Sequence, residues 1–358
     1  MQYDFTSLMD RHGKDAIAVD GVGGPGAPGA PQAGFDVIPM WVADMNFPTC
    51  PTIQQAIIAR AQHPAFGYFD PTPEYYDSII RWQSTRNGVQ GLAKEHIGYE
   101  NGVLGGVISA LNCVCSRGDK VLVHSPTYIG FTRCLENNGY QIIHSPLVKD
   151  EANVWRMDFA DMERRLKEEH IHAAILCNPH NPSGRVFTKE ELTAMGDICV
   201  KHGVTVVSDE IHNDFVFRGE HTVFASIKKE FEDICVVCTS PSKTFNLASM
   251  MISNIFVPNK ELRQKFQHQV DAAGISQLGV LGLVATQTAY EKGDEWYENM
   301  LKYVWENIAY VKKYVKDNMP GVNVIDGEGT YLLWLDFRGT GIDADELDRR
   351  IIYDAKLW

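Results

Sequence analysis

The rhythm of apolar positions changes near residue 100. Beyond it, short runs such as KVLVHSP, HAAILCNP, VTVVSDE and DICVVCTS are apolar at nearly every position and end in polar residues or proline. Strict alternation would mark a strand with one wet face, whereas continuous apolar runs mark strands covered on both. Stretches with helical spacing lie between them, among them DMERRLKEE and TKEELTAMGDICVKHG. The second carries a capping box, Thr188-x-x-Glu191, and a glycine stop at Gly203. Strands separated by helices predict an α/β fold with a mainly parallel sheet, whose ligands bind at the carboxyl ends of the strands. From about residue 286, aromatic-rich helices lead to the strand-like TYLLWLDF, the expected start of a smaller domain.

Composition narrows the class. A length of 358 residues suits one large domain plus a smaller one. The 33 basic and 46 acidic residues leave a net charge of −13, which argues against a general binder of nucleic acid or anionic membrane. A locally positive pocket for an anionic cofactor remains compatible with it. The start, MQYDFTSLMDRHGKD, lacks the pattern of a signal peptide, and no apolar run approaches the ~20 residues of a membrane helix. The eight cysteines, several inside apolar runs, read as reduced, buried thiols of a cytoplasmic protein. Cys235-x-x-Cys238 lies within a strand-like run with no second pair at zinc spacing, so it reads as structural. Residues 21–34, GVGGPGAPGAPQAG, cannot bury side chains and predict a mobile loop.

Candidate chemistry sits where the apolar runs end. Lys243 in SPSK follows DICVVCT. A lysine there is either a surface turn residue or an amine nucleophile held in a pocket. Asp209 ends VTVVS, Asn178 and Asn181 lie in NPHNPSG after HAAILC, and Tyr128 follows KVLVHS. In a parallel sheet these ends share one edge, so distant residues converge. Singly, Asp209 could be a helix cap and Asn181 a turn residue. A glycine-rich turn at Gly102 opens an apolar helix in ENGVLGGVISALNCV, where free amides and the helix dipole favour a phosphate. Together these groups meet the needs of pyridoxal phosphate: a lysine for the aldehyde, a carboxylate for the pyridinium, an aromatic face, a donor to the ring oxygen, and amides and hydroxyls for the phosphate. Ser240 and Ser242 are equal candidates for the last role.

With these residues in view, the chain resembles the fold-type I pyridoxal-phosphate enzymes. More closely it resembles the cystathionine β-lyase/cysteine-S-conjugate lyase branch often called the MalY/PatB family. The stretches that carry the likeness are PMWVADMNFP, FGYFDPTPEYYDSIIRW, NPHNPSGRVF, SDEIHNDF and SPSKTFNLASM. The resemblance implies an aspartate aminotransferase-like fold. It divides the chain into an N-terminal arm over 1–48, a cofactor-binding domain over 49–285 and an incomplete small domain over 286–358. It implies that Lys243 is the Schiff-base lysine, that Asp209 pairs with the ring nitrogen, and that Asn181 and His212 reach the ring oxygen. Tyr128 would stack on the ring. The amides of Val103 and Leu104, with Ser240 and Ser242, would hold the phosphate. Tyr68 would reach the phosphate of a second subunit in a homodimer, and Asp44 and Met45 would line the substrate entrance, where Asn181 also contributes.

The implied activity is carbon–sulfur β-elimination from cystathionine or a related cysteine conjugate. An aminotransferase with the same cofactor is the alternative, and an inactive or regulatory protein on the same fold is a third reading. Three departures from the family pattern stand out. The Gly/Pro-rich insert is unusual, Asn46 stands where the family has aspartate, and the arginine that grips the substrate carboxylate, expected beyond Trp358, has no counterpart in the chain.

Overall fold

The computed structural model describes residues 3–29, 38–151, 154–275 and 278–357, so residues 30–34 of the Gly/Pro-rich stretch lie outside the description. The chain divides into two compact units. The larger comprises Thr49–Lys302 and Asp326–Trp334; the other comprises Met1–Pro48, Tyr303–Ile325 and Leu335–Trp358.

The larger unit is built on a seven-stranded sheet. Its strands are β1 (Ile97–Gly98), β2 (Lys120–Ser125), β3 (Gln141–Pro146), β6 (Ala173–Cys177), β7 (Thr205–Asp209), β8 (Cys235–Thr239) and β9 (Asn254–Phe256). A two-stranded antiparallel piece, β4 (Val148–Lys149) with β5 (Trp155–Arg156), lies outside it. The order is β1-β9-β8-β7-β6-β2-β3. Strands β3, β2, β6, β7 and β8 are parallel to their neighbours, and β9 and β1 close one edge antiparallel. The four apolar runs are thus the middle of the sheet. Their side chains are buried on both faces: Val121, Val123, Ile175 and Val207 on one, Leu122, Leu176, Val206 and Val237 on the other. The chain winds outward in opposite directions from β2 and β6, which places the topological switch between them. That is where an open α/β sheet has its crevice.

Helix Gly102–Asn112 packs on the first face through Val103, Val107, Ala110 and Leu111. It comes close because Gly106 has no side chain: a Cβ there would lie 2.4 Å from Ile255 Cδ1. Helix Lys189–His202 starts and stops as its sequence predicts. Thr188 Oγ1 accepts from the Glu191 amide at 3.3 Å, the Glu191 carboxylate accepts from the Thr188 amide at 2.9 Å, and Gly203 caps the end in the left-handed region.

In the second unit, β10 (Asn323–Val324) pairs antiparallel with β11 (Leu335–Asp336). Arg11 and Asp44 form an ion pair at 2.6 Å, and Phe5 packs against Phe47 and Tyr303. The strand expected over TYLLWLDF is therefore short. Only Leu335–Asp336 pairs, because Thr330 takes a left-handed backbone (φ 62°) and Tyr331 leaves the strand direction to pack on Phe215.

Candidate active site

Strand β7 ends at Asp209, opposite Cys177 of β6 and Cys238 of β8. The carboxyl group is buried, and its Oδ1 accepts the Ile211 amide at 3.0 Å. Burial pushes its pKa up to about 7, the Glu210 charge adds to this, and the Lys243 charge opposes it. A carboxylate in this state calls for a cationic partner.

Lys243 is half-buried on a single helical turn, Pro241–Thr244, that follows β8. Ser240 caps the turn: its Oγ accepts the Ser242 amide at 3.0 Å. The Ser240 hydroxyl also lies 2.7 Å from the Ile252 carbonyl and 2.7 Å from the Ser242 hydroxyl. Ser240 is thus the more committed of the two serines, which leaves Ser242 freer to meet a ligand. Thr244 donates to Asp214 Oδ2 at 2.5 Å, Trp82 Nε1 donates to Asp214 Oδ1 at 3.0 Å, and the Tyr297 hydroxyl donates to the Asp214 carbonyl at 2.6 Å. The lysine is therefore anchored from the next residue by a buried carboxylate.

Tyr128 occupies the N-cap of helix Ile129–Asn137, three residues past β2. Its ring lies over Gly130, where a Cβ would come within 2.2 Å of Tyr128 Cε1, and meets Phe131 edge-on at 5.4 Å. The phenol is pushed up by burial and then by the Asp209 charge, so it stands within electrostatic reach of that carboxylate. Asn181 follows β6 and is half-buried; nearby Asn178 accepts the Phe187 amide at 3.0 Å. The His212 imidazole is buried and held down to about 3, by burial first and by the Lys243 charge second, so it is neutral. Its Nδ1 and the Nδ2 of Asn178 have no hydrogen-bond partner among the described residues. Buried polar atoms in that condition mark a place where something else binds.

Helix Gly102–Asn112 supplies the anion end. Its N-cap, Asn101, makes no side-chain cap, and Gly102 adopts φ 76° with open space where a side chain would stand. The first-turn amides, including those of Val103 and Leu104, have no acceptor within the helix. Glu100 sits beside this turn, buried, accepting the Asn101 amide at 3.0 Å and the Ser109 hydroxyl.

The remaining expected residues are placed differently. Tyr68 projects fully from the surface, 109% exposed, in a segment without regular structure. Asp44 and Met45 belong to the second unit, where Asp44 is paired with Arg11 and Met45 is buried. Asn46 Oδ1 lies 3.5 Å from Arg11 Nη1. Sequence reasoning missed Asp214, Glu100 and Glu210, all buried, and the bond that Glu210 makes with His221 (2.8 Å). It also missed Tyr331, whose ring meets His212. The "DE" that closes β7 and the tyrosine in EGTYLLW were the available signals. A buried carboxylate, a lysine, a neutral imidazole, an aromatic face, hydroxyls and open helix amides fit a phosphorylated, cationic aromatic ring bearing an aldehyde.

Residues 36–358 match the family model described as aminotransferase class I and II. Cystathionine β-lyase PatB of Bacillus subtilis (strain 168) is 37% identical over 323 residues, 90% of this chain and 83% of that protein. Cystalysin from Treponema denticola, whose crystal structure contains pyridoxal 5′-phosphate, superposes with a TM-score of 0.93 at 31% identity, covering 100% of this chain and 90% of that one. The pyridoxal-phosphate-bound C–S lyase of Staphylococcus hominis does so with a TM-score of 0.91 at 30% identity, covering 100% and 89%.

Proposed function

The chain belongs to the aminotransferase class I and II family, and on that premise we propose that it is a pyridoxal-phosphate-dependent carbon–sulfur β-lyase. Its substrates are L-cystathionine or related cysteine S-conjugates, and with water it yields a thiol, pyruvate and ammonia. The similarity to the cystathionine β-lyase of B. subtilis and to the C–S lyases carries this reading over simple amino transfer.

Pyridoxal phosphate, when bound, supplies an electron-poor ring that takes up the electron pair left when the substrate Cα–H bond breaks. The chain's residues make this possible. Asp209 keeps the pyridinium proton in place, and that cation meets the need created by the buried carboxylate. Tyr128 covers one ring face. Asn181 and neutral His212 serve the ring oxygen. The amides of Val103 and Leu104, with the Ser242 hydroxyl and capping Ser240, receive the phosphate dianion at a helix N-terminus. Lys243 would hold the cofactor and, once the substrate amino group has displaced it, its freed amine would take the Cα proton as general base.

The working form is a homodimer in a reducing, cytoplasmic setting. Its support is exposed Ile58, Phe66 and Tyr68 and eight free thiols. Among the described residues no helix is long and apolar enough to cross a membrane.

The deciding experiment incubates the cofactor-saturated protein with L-cystathionine. Pyruvate and thiol in equal amounts are expected. Transfer of the amino group to a 2-oxo acid without thiol release would assign the chain to aminotransferases instead. Borohydride reduction and peptide mapping should place the pyridoxyl group on Lys243.

A further inference from the structure

Residues far along the chain close around the loops that follow β6 and β7. The Gly329 amide donates to the Gly184 carbonyl at 2.8 Å, and the Thr330 amide donates to Phe215 at 2.9 Å. The Glu328 carbonyl accepts the Phe217 amide at 2.9 Å, while its carboxylate accepts Val186 N–H at 3.0 Å and Arg185 Nε at 3.1 Å. Gly184 and Gly327 approach so closely that a Cβ on Gly327 would lie 2.6 Å from the Gly184 Cα. One segment thus braces the loop carrying Asn181 against the loop carrying His212.

The brace ends in an aimed side chain. Thr330 is buried with φ 62°, an unfavourable backbone for a β-branched residue, and its hydroxyl accepts the Leu332 amide at 3.2 Å. That turn delivers Tyr331. Its ring stands edge-on to His212 (centroids 5.6 Å, 62°) and to Phe215 (4.8 Å, 72°). His212 is buried with an unpartnered Nδ1 among the described residues, so hydrogen bonds from that atom do not fix its ring. The rings of Phe215 and Tyr331 pack against it, at 6.1 and 5.6 Å between centroids.

We propose that Tyr331 is a positioning residue of the lyase reaction, holding the His212 imidazole in place through an edge contact of the two rings. The inference rests on the cofactor reading of this site. Loss of the contact frees the imidazole to turn, and the bound ring loses a fixed neighbour at its oxygen. Contacts that act through a shared partner couple, whereas independent ones add.

The test is a double-mutant cycle on holoenzyme: Tyr331→Leu, Tyr331→Phe, His212→Asn, and each tyrosine variant combined with His212→Asn. The readouts are the visible absorption maximum and induced circular dichroism of bound pyridoxal phosphate, with kcat and KM for cystathionine. Tyr331→Leu is expected to lower kcat about tenfold with KM nearly unchanged, to shift the absorption maximum and to reduce the dichroism. Tyr331→Phe should restore all three, and Tyr331→Leu should have no further effect once His212 is asparagine. Equal losses in both backgrounds, or unaltered spectra, would overturn the proposal. If Tyr331→Leu does not fold, Tyr331→Met carries the same cycle. A cofactor band without pyruvate release sinks the lyase reading alone, since the spectral cycle still reports on Tyr331. Absence of any cofactor band in the unmodified protein overturns both.

Discussion

The Thr244 hydroxyl donates to Asp214 Oδ2 at 2.5 Å, one residue past the candidate catalytic lysine. Burial raises the Asp214 pKa, and the Thr244 and Trp82 bonds lower it again. Thr244→Val deletes one of those donors and leaves a buried carboxylate oxygen short of a partner. A loss of about 1–3 kcal/mol in urea unfolding is expected, together with slower turnover. Unchanged stability would mean that the lysine turn is anchored elsewhere.

Asp209 makes the stability of the cofactor-free protein depend on pH in an unusual direction. Its carboxyl ionises near 3.8 when unfolded and near 7 when folded. Folding therefore takes up a proton between those values. The stability is fully present below about pH 4 and falls as pH rises toward 7, by about 4 kcal/mol in all. Asp209→Asn should flatten this slope, so the cofactor-free variant gains stability at pH 8 and little at pH 4. In the loaded enzyme the same change should cost at least about a hundredfold in kcat. Identical urea midpoints for both proteins at pH 8 would contradict the first half; near-normal turnover would contradict the second.

The close approach of Gly106 to Ile255 offers a test of packing. Gly106→Ala adds a methyl where Ile255 Cδ1 would stand 2.4 Å away. The crowding should cost about 1–3 kcal/mol, more than the helix propensity gained. Ile255→Val removes the clashing atom and should recover much of the loss. Failure of the pair to recover would show that the backbone, rather than the side chain, resists the methyl.

Much of this was legible in the sequence. The strands over Lys120–Ser125, Ala173–Cys177, Thr205–Asp209 and Cys235–Thr239 match runs visible as apolar blocks, and the caps at Thr188 and Gly203 follow local rules. The convergence of Tyr128, Asp209 and Lys243 follows from parallel strands ending on one edge. Other features had no local signal. Trp82 and Asp214 are 132 positions apart, and nothing near either announces the bond. The antiparallel edge of β9 and β1 rests on pairs of three residues or fewer, too short for periodicity to mark. TYLLWLDF reads as a strand because its residues favour one, yet Tyr331 is drawn away by His212 and Phe215.

Tyr68 tests the dimer. Its ring is fully exposed here, and the proposed role needs a second subunit. Tyr68→Phe and Lys243→Ala, each weak alone, should regain activity when their subunits are mixed and exchanged, because some mixed dimers hold one intact site. A fully active monomer by light scattering would remove the basis for the claim.

The strand order also sets a timetable for synthesis. Ile97 has Phe256 as its partner in the sheet, and Glu100, beside the Gly102 turn, donates its amide to the Ser253 hydroxyl at 2.9 Å. A ribosome adding about 5–20 residues per second leaves Ile97 waiting roughly 8–30 seconds for Phe256. During that interval β1 and the Gly102 turn lack their partners in β9 and at Ser253, and the edge of β8 stays open from its synthesis until β9 follows. The antiparallel edge of the sheet therefore forms late, when β9 pairs with both β8 and β1. A nascent chain stalled before residue 254 should remain open to protease around residue 98, and one released beyond 258 should not.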